Sequence, residues 1–402
     1  MKVAIYLKNN VNPSVGGNFS YHEKFIGAVD NYNFTKTLEI CFVGRFGQEK
    51  VQLQKNYFRL APAFLYKLSD ILIRLKIKTL FKRVFGVNID LCAHLDARIL
   101  KSNNIEIVLF PIQFLKAVND FPFITMNWDA GHKTTFAFPE LIEHFEFRER
   151  WYHSEIQEAM AIFVESETSK KEFCTYYAVP PHKIEVIPLF AGSVVDLTVE
   201  EKIQVEILSR LNLEKHNFLY YPAQFWAHKN HYNLLIAFKE VVSSSTGKNM
   251  KLVLSGSDMG NKDYVISIIK KENLENNVLV LGFISNQEVY TLYKNAVALV
   301  MPTFLGPTNM PLLEAQALGT AVICSNLDGH REQCGHTALY ADPSKPDQWA
   351  GAMLSILNPE TRSSLIKAAD QYRATSPFTI QKALEHLEKA FMKFSSIRKT
   401  FQ

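Results

Sequence analysis

The stretch "FLGPTNMPLLEAQALGTAVICSN", residues Phe304–Asn326, decides how this chain is read. Gly306-Pro307 breaks the preceding structure, and Asn309 can cap a helix. Pro311 falls in the first turn, where a missing N–H costs little, and Gly319 is placed to end the helix. Between them runs an apolar segment with one carboxylate, Glu314, followed by the strand-like "TAVICSN". A carboxylate in so apolar a helix is expensive unless something pairs with it. The run before it, "VALVMP" (Val297–Pro302), reads as a strand, so the Gly306–Asn309 loop lies beyond a strand's carboxyl end. There it would aim free helix N–H groups outward, which makes a ready anion site.

Outward from this stretch the same grammar repeats. Upstream come the strand "FLYYPA" from Phe218, the helix "HYNLLIAFKEVV" from His231, the strand "KLVLSG" from Lys251 and the helix "DYVISIIKKEN" from Asp263. The strand "VLVLG" from Val278 and the helix "NQEVYTLYKNA" from Asn286 follow. Strict strand and helix alternation predicts a doubly wound α/β domain with a parallel sheet. The first half carries "VAIYL", "LEICFVG", "IEIVLFP" and "FPFITMNW", short unbroken apolar runs suited to strands covered on both faces. A chain of 402 residues exceeds one ordinary core, so two domains with a cleft between them are expected. The reading assigns 1–195 to the first domain, 205–375 to the second and 376–402 to a helix that crosses back, with a linker near 189–212.

Composition narrows the function classes. Apolar residues make up 47% and charged residues 21%, which is globular, and a net charge of +4 gives no argument for nucleic acid. The five cysteines include no Cys-x-x-Cys pair, so neither a disulfide framework nor a zinc site is indicated and a reducing cytoplasm is expected. The apolar start "MKVAIYLKNN" is too short for a signal peptide's apolar region or a membrane span.

Four further stretches carry candidate chemistry. Glu314, one turn inside its helix, is placed to accept hydrogen bonds from two hydroxyls of a ribose; a structural ion pair is the alternative. "YPAQFWAHKNH" (Tyr221–His231) joins a strand to a helix, with Lys229 placed to neutralise phosphate and Gln224 five residues upstream; a solvated lysine is the plain alternative. "SVGGNFSYHEKFIGAV" (Ser14–Val29) sets Gly16 and Gly17 in a strand-to-helix turn, where glycine is often needed for geometry alone. "FITMNWDAGHKTTFAFPEL" (Phe123–Leu141) follows an apolar strand with Asp129 and His132, either of which could meet a sugar or an acceptor hydroxyl. Residues 64–85 predict a helix with one mostly basic face (Lys67, Asp70, Arg74, Lys78, Lys82) and one leucine face. Such a helix can lie on an anionic leaflet or simply cover a core.

From about Phe218 to Asp342 the chain resembles the nucleotide-binding half of retaining glycosyltransferases of family 4, which have the two-domain GT-B fold: two Rossmann-like, doubly wound domains facing a cleft. The resemblance rests on the basic loop at Lys229, "LVLSGS" with Gly256, "LGFIS" with Gly282, Phe283 and Ile284, and "PLLEA" with Glu314. It implies that Lys229 binds phosphate, that backbone near Gly282 to Ile284 borders the base, and that Glu314 holds the ribose. Gly16 and Gly17 would face the diphosphate. Gln224 stands where that family has an arginine, and Gly306 where it has a first acid, eight residues before Glu314. The donor sugar is therefore expected on backbone N–H groups near Asn309 and Met310 and on the Thr308 or Asn309 side chain. Trp128 replaces a histidine of the family's loop, while Asp129 keeps the acid.

The activity implied is a retaining, metal-independent hexosyltransferase. It would move a sugar from a nucleotide-diphosphate sugar to a hydroxyl of a lipid-linked glycan, as in bacterial O-antigen or capsule synthesis, from the inner face of the plasma membrane. No separate cofactor, metal or nucleic acid is expected, and no Asp-x-Asp triplet occurs. A sugar-nucleotide epimerase would need an acid and base pair, for which only Asp129 and His132 offer themselves. A dinucleotide oxidoreductase would need G-x-G-x-x-G, which is absent. A non-catalytic partner in polysaccharide assembly is the rival from another class, since Gln224 and Gly306 each lack a charge.

Overall fold

The computed structural model describes residues 1–8, 17–47, 52–62 and 91–399. Gly16 and the expected basic helix at 64–85 lie outside the described residues.

Two parallel sheets organise the chain. The first has the order β3-β2-β1-β4-β5-β6-β7. Its strands are β1 (Lys2–Tyr6), β2 (Glu39–Gly44), β3 (Tyr57–Arg59), β4 (Ile107–Phe110), β5 (Phe123–Met126), β6 (Ala161–Val164) and β7 (Ile184–Val186). The second has the order β10-β9-β8-β11-β12-β13. It contains β8 (Phe218–Pro222), β9 (Lys251–Ser255), β10 (Val278–Gly282), β11 (Ala298–Met301), β12 (Ala321–Ser325) and β13 (Leu339–Ala341). Every pairing within them is parallel, as in Val3↔Ile40, Tyr220↔Val253 and Leu299↔Val322. The continuous apolar runs are therefore buried on both faces, and β1, β4, β5, β6, β11 and β12 are almost wholly inaccessible.

In each sheet the strand order reverses once, at β1/β4 and at β8/β11. A reversal sends the following loops to opposite sides and leaves a crevice at the carboxyl ends of the strands. The loops after β8 and β11 carry Lys229 and Gly306–Asn309, so two of the sequence's candidate stretches meet at one crevice.

The last helix, Ile380–Lys399, returns to the first sheet, where Ala383, Leu387, Ala390 and Phe391 join the core of Val3, Ile5, Phe25 and Phe163. Met310 and Leu313 of the second sheet's helix Met310–Ala317 belong to that same apolar cluster, which welds the two halves beside the cleft. Among the described residues no helix is long and apolar enough to cross a membrane.

Candidate functional site

A cleft of about 900 Å³ separates the two sheets. Its walls include Gly17, Trp128, Asp129, Glu165, Gln224, Lys229, Gly256, Phe283, Ile284, Thr308, Asn309, Met310 and Glu314. Sequence positions as far apart as 17 and 314 thus face one space. Gly282 is not among the lining residues; it ends β10, accepts the Gly256 N–H at 2.7 Å and hands the wall to Phe283, which is 61% exposed.

The helix Met310–Ala317 starts where the sequence predicted, with Pro311 in its first turn. Asn309 occupies the N-cap position but does not cap with its side chain. Its Nδ2 lies 2.8 Å from His330 Nε2, and its Oδ1 accepts from Lys229 Nζ at 3.4 Å. Its own N–H donates to Gln333 Oε1 at 2.7 Å. The expected capping bond gives way to these fixed contacts; Pro311 has no N–H to offer and Leu312 N–H donates to the Asn309 carbonyl at 3.3 Å, so in this first turn the Met310 N–H is the one left for a ligand. The helix closes with a Schellman pair, Thr320 N–H to Ala315 O at 2.8 Å and Gly319 N–H to Gln316 O at 3.3 Å. Gly306, with φ of 134°, bends the loop so tightly that a Cβ there would lie 2.3 Å from Asn309 Nδ2. A carboxylate at position 306 does not fit this loop.

Lys229 has no carboxylate within ion-pair distance among the described residues. Burial pushes its amine down to about 8, against the pull of Asp129 and Glu140. Tyr221 fixes its backbone by donating to the Lys229 carbonyl at 2.9 Å. A half-buried amine short of a counterion, facing a helix N-terminus across a crevice, is an electrostatic vacancy suited to a polyanion.

Glu314 is buried, and burial raises its carboxyl above the ordinary value against the hydrogen bonds it accepts. Tyr293 donates to Oε2 at 2.9 Å, and the Gly192 N–H provides a second donor. Gly192 belongs to the segment joining the sheets, and a Cβ on it would stand 2.5 Å from Glu314 Oε1. The expected ribose-binding acid therefore lines the cleft while also tying the connector to the second sheet.

On the opposite wall, Asp129 accepts from Arg148 Nη1 and from the Gly131 N–H, 2.7 and 2.8 Å. Burial pushes its carboxyl up, but Arg148 and that N–H hold it below its usual range. His132 is not brought to the cleft. It is 1% exposed, and its Nε2 lies 2.7 Å from both Glu149 Oε1 and Tyr177 Oη. The expected contact with sugar or acceptor is corrected to a position inside the first domain, where burial lowers the ring's proton affinity.

Sequence reasoning missed the residues that join the walls. Glu140 takes the His228 N–H at 3.0 Å and its Nδ1 at 2.6 Å. Thr308 donates to Glu165, and Glu332 accepts from the N–H groups of Glu167 and Thr168 at 2.8 and 2.9 Å. The one local signal was a glutamate directly after the buried strand "AIFV"; the other pairings span 88 to 165 residues and leave no trace in spacing.

Residues 204–372 match the family model described as "Glycosyl transferases group 1". An O-antigen chain mannosyltransferase B of Escherichia coli is 24% identical over 220 residues, 54% of this chain and 57% of that protein. The chain thus spans little more than half the length of the relative it matches. The structure of sucrose-phosphate synthase from Thermosynechococcus elongatus superposes with a TM-score of 0.70 at 15% identity, covering 98% of this chain and 99% of that one. That of Anabaena HepE in complex with UDP-glucose gives 0.66 at 13% identity, covering 98% and 100%. The fold is GT-B, and residues 204–372 form a glycosyltransferase-type domain.

Proposed function

We propose that this chain is a retaining, metal-independent glycosyltransferase that moves a hexose from a nucleotide-diphosphate sugar to a hydroxyl of a lipid-linked glycan, in O-antigen or a related surface polysaccharide. The observation that carries this reading is Lys229: a half-buried amine with no carboxylate partner among the described residues, opposite the N-terminus of the helix Met310–Ala317. It is supported by the matched domain, by the mannosyltransferase relative and by the structural neighbour that binds UDP-glucose.

The donor's diphosphate would lie between Lys229 and the N–H groups at Thr308 and Met310, with Gly17 opposite. The ribose hydroxyls would take Glu314 in exchange for part of its present contacts, and the base would lie along Phe283 and Ile284. In the transfer step the bond between the anomeric carbon and the diphosphate oxygen breaks. The acceptor oxygen bonds to the same face of that carbon, and its proton passes to the departing diphosphate. Lys229 and the helix N–H groups stabilise the charge that develops there, a kind of preorganised contact each worth roughly 3 kcal/mol in the barrier. Retention is taken from the resemblance to family 4. The lipid-linked acceptor is consistent with Phe136, Ile142 and Phe147, which stand 66%, 60% and 52% exposed on the segment that also sends Glu140, Leu141 and Arg148 into the cleft.

Incubating the protein with GDP-mannose, UDP-hexoses and dTDP-rhamnose and membrane extract tests the reading. Acceptor-dependent release of a nucleoside diphosphate from one of them supports it. Donor binding without release under any acceptor favours a non-catalytic partner.

A further inference from the structure

The first domain sends one carboxyl to the loop before the helix Met310–Ala317, and among the described residues it has no cation partner. Glu165 follows β6, is 6% exposed and lines the cleft. One of its oxygens accepts from Thr308 Oγ1 on the opposite wall, the only side-chain hydrogen bond its carboxyl makes among the described residues. The charged groups nearest to it on its own domain are carboxylates, Asp129 and Glu172, and the adjacent guanidinium of Arg148 is already taken by Asp129. Glu172 is itself bound to the Ala130 N–H. Burial first, and these two acids second, raise the Glu165 carboxyl well above its ordinary value. A neutral acid has one oxygen for Thr308 and one O–H to donate. A neutral group also does not repel a diphosphate bound at the neighbouring helix end.

Resting on the proposed donor site, we infer that Glu165 is a sugar-binding residue: while accepting from Thr308 it donates its own O–H to a hydroxyl of the sugar being transferred. The position fits the sugar rather than the nucleotide. Thr308 directly precedes Asn309 and Met310, where the diphosphate would end, and Glu165 faces that end from the far wall, beside Trp128 and Asp129. Gly306 supplies no side chain on the near wall, so Glu165 is the carboxyl that reaches this loop.

Calorimetry with GDP and GDP-mannose, with UDP and UDP-glucose, and with dTDP and dTDP-rhamnose tests the assignment on wild type, Glu165→Gln, Glu165→Ala and Thr308→Val. Glutamine keeps one acceptor and one donor without ionising, so Glu165→Gln should bind the nucleotide sugar within about threefold of wild type. Glu165→Ala should weaken the nucleotide sugar by roughly tenfold, the worth of one buried hydrogen bond, and leave the nucleoside diphosphate within about twofold. Thr308→Val, which leaves the acid in place but unoriented, should move the same ratio in the same direction and covers the case in which Glu165→Ala fails to fold. An equal loss for diphosphate and sugar nucleotide, no loss for either, or a glutamine variant as weak as the alanine one would overturn it. If wild type binds none of GDP, UDP and dTDP, the donor-site reading falls, and this inference with it.

Discussion

Lys229 Nζ lies 3.4 Å from Asn309 Oδ1, and Asn309 can turn no other atom toward it because its Nδ2 is engaged by His330 Nε2 at 2.8 Å. His330 is fixed in turn, with its Nδ1 2.9 Å from the Ser325 carbonyl. Burial holds the His330 ring at about 4, so it is neutral at pH 7: Nδ1–H donates to the carbonyl and Nε2 accepts from Asn309. A chain of three residues from β12 thus presents a neutral oxygen to the lysine. That contact orients the amine without cancelling its charge.

Replacing Lys229 by methionine keeps most of the buried stem and removes the charge. Affinity for a nucleoside diphosphate is expected to fall by roughly 1.5–3 kcal/mol, the usual worth of a hydrogen bond to a charged group. Affinity for the bare nucleoside should hardly change. Titration calorimetry with both ligands checks this, and equal losses for the two would remove Lys229 from the diphosphate.

The same amine sets a pH dependence whose sign can be worked out. In the folded, ligand-free protein it loses its proton at about 8, whereas its ordinary value is 10.5. Between those values the unfolded chain binds the extra proton, so this group makes stability rise with pH from about 8 to 10.5 and adds no slope below. Diphosphate affinity runs the other way, falling as pH rises through 8, with proton uptake on binding. Calorimetry at pH 8.5 in buffers of different ionisation enthalpy reads that uptake, and Lys229→Met should abolish it.

Glu314→Ala would leave Tyr293 Oη and the Gly192 N–H without their acceptor. A stranded buried donor costs about 1–3 kcal/mol, so the ligand-free protein should melt several degrees lower. Nucleoside affinity should fall as well, since the proposed ribose acceptor is gone. A variant that melts lower but binds nucleosides as wild type does would leave Glu314 as a structural residue only.

Gly192→Ala places a methyl group 2.5 Å from Glu314 Oε1 and 2.9 Å from Met310 Sδ. The carboxylate and the thioether must both shift, and overpacking of this kind costs about 1–3 kcal/mol. Both stability and nucleotide affinity are expected to drop, although residue 192 touches no ligand in the proposed pose. Thermal unfolding with and without UDP or GDP compares the two effects.

Glu332 caps a helix of the other domain, taking the first N–H groups of Glu167–Tyr177 together with the Thr168 hydroxyl at 2.7 Å. Ser166 already caps that helix from within by accepting the Ser169 N–H at 3.0 Å. Glu332→Ala should therefore cost only about 1 kcal/mol. Its clearer mark is faster amide hydrogen exchange at Glu167 and Thr168 while β6 stays protected.

The second sheet was legible because its strands are short, apolar at their centres and punctuated: "FLYYP", "KLVLS", "ALVM" and "AVICS" each end in a polar loop or a Gly or Pro break. The edge strands of the first sheet were not, since Tyr57–Arg59 and Ile184–Val186 have three residues each and lie partly exposed. In the site, Glu314 showed because burying a carboxylate in so apolar a helix demands a reason, and Lys229 because it stands in a loop that joins a strand to a helix. Glu165, Glu140 and Glu332 did not show because each finds its partner on the other domain. His132 read as a loop histidine free to meet a ligand; Glu149 and Tyr177, 17 and 45 residues away, enclose it.

A crystal of the protein grown with a nucleoside diphosphate, UDP or GDP, bears most directly on the central claim. The account predicts the terminal phosphate between Lys229 Nζ and the N–H groups of Thr308 and Met310, with the ribose hydroxyls on Glu314. A well-ordered nucleotide bound elsewhere, or bound in the cleft with Lys229 left without a phosphate oxygen, would contradict it.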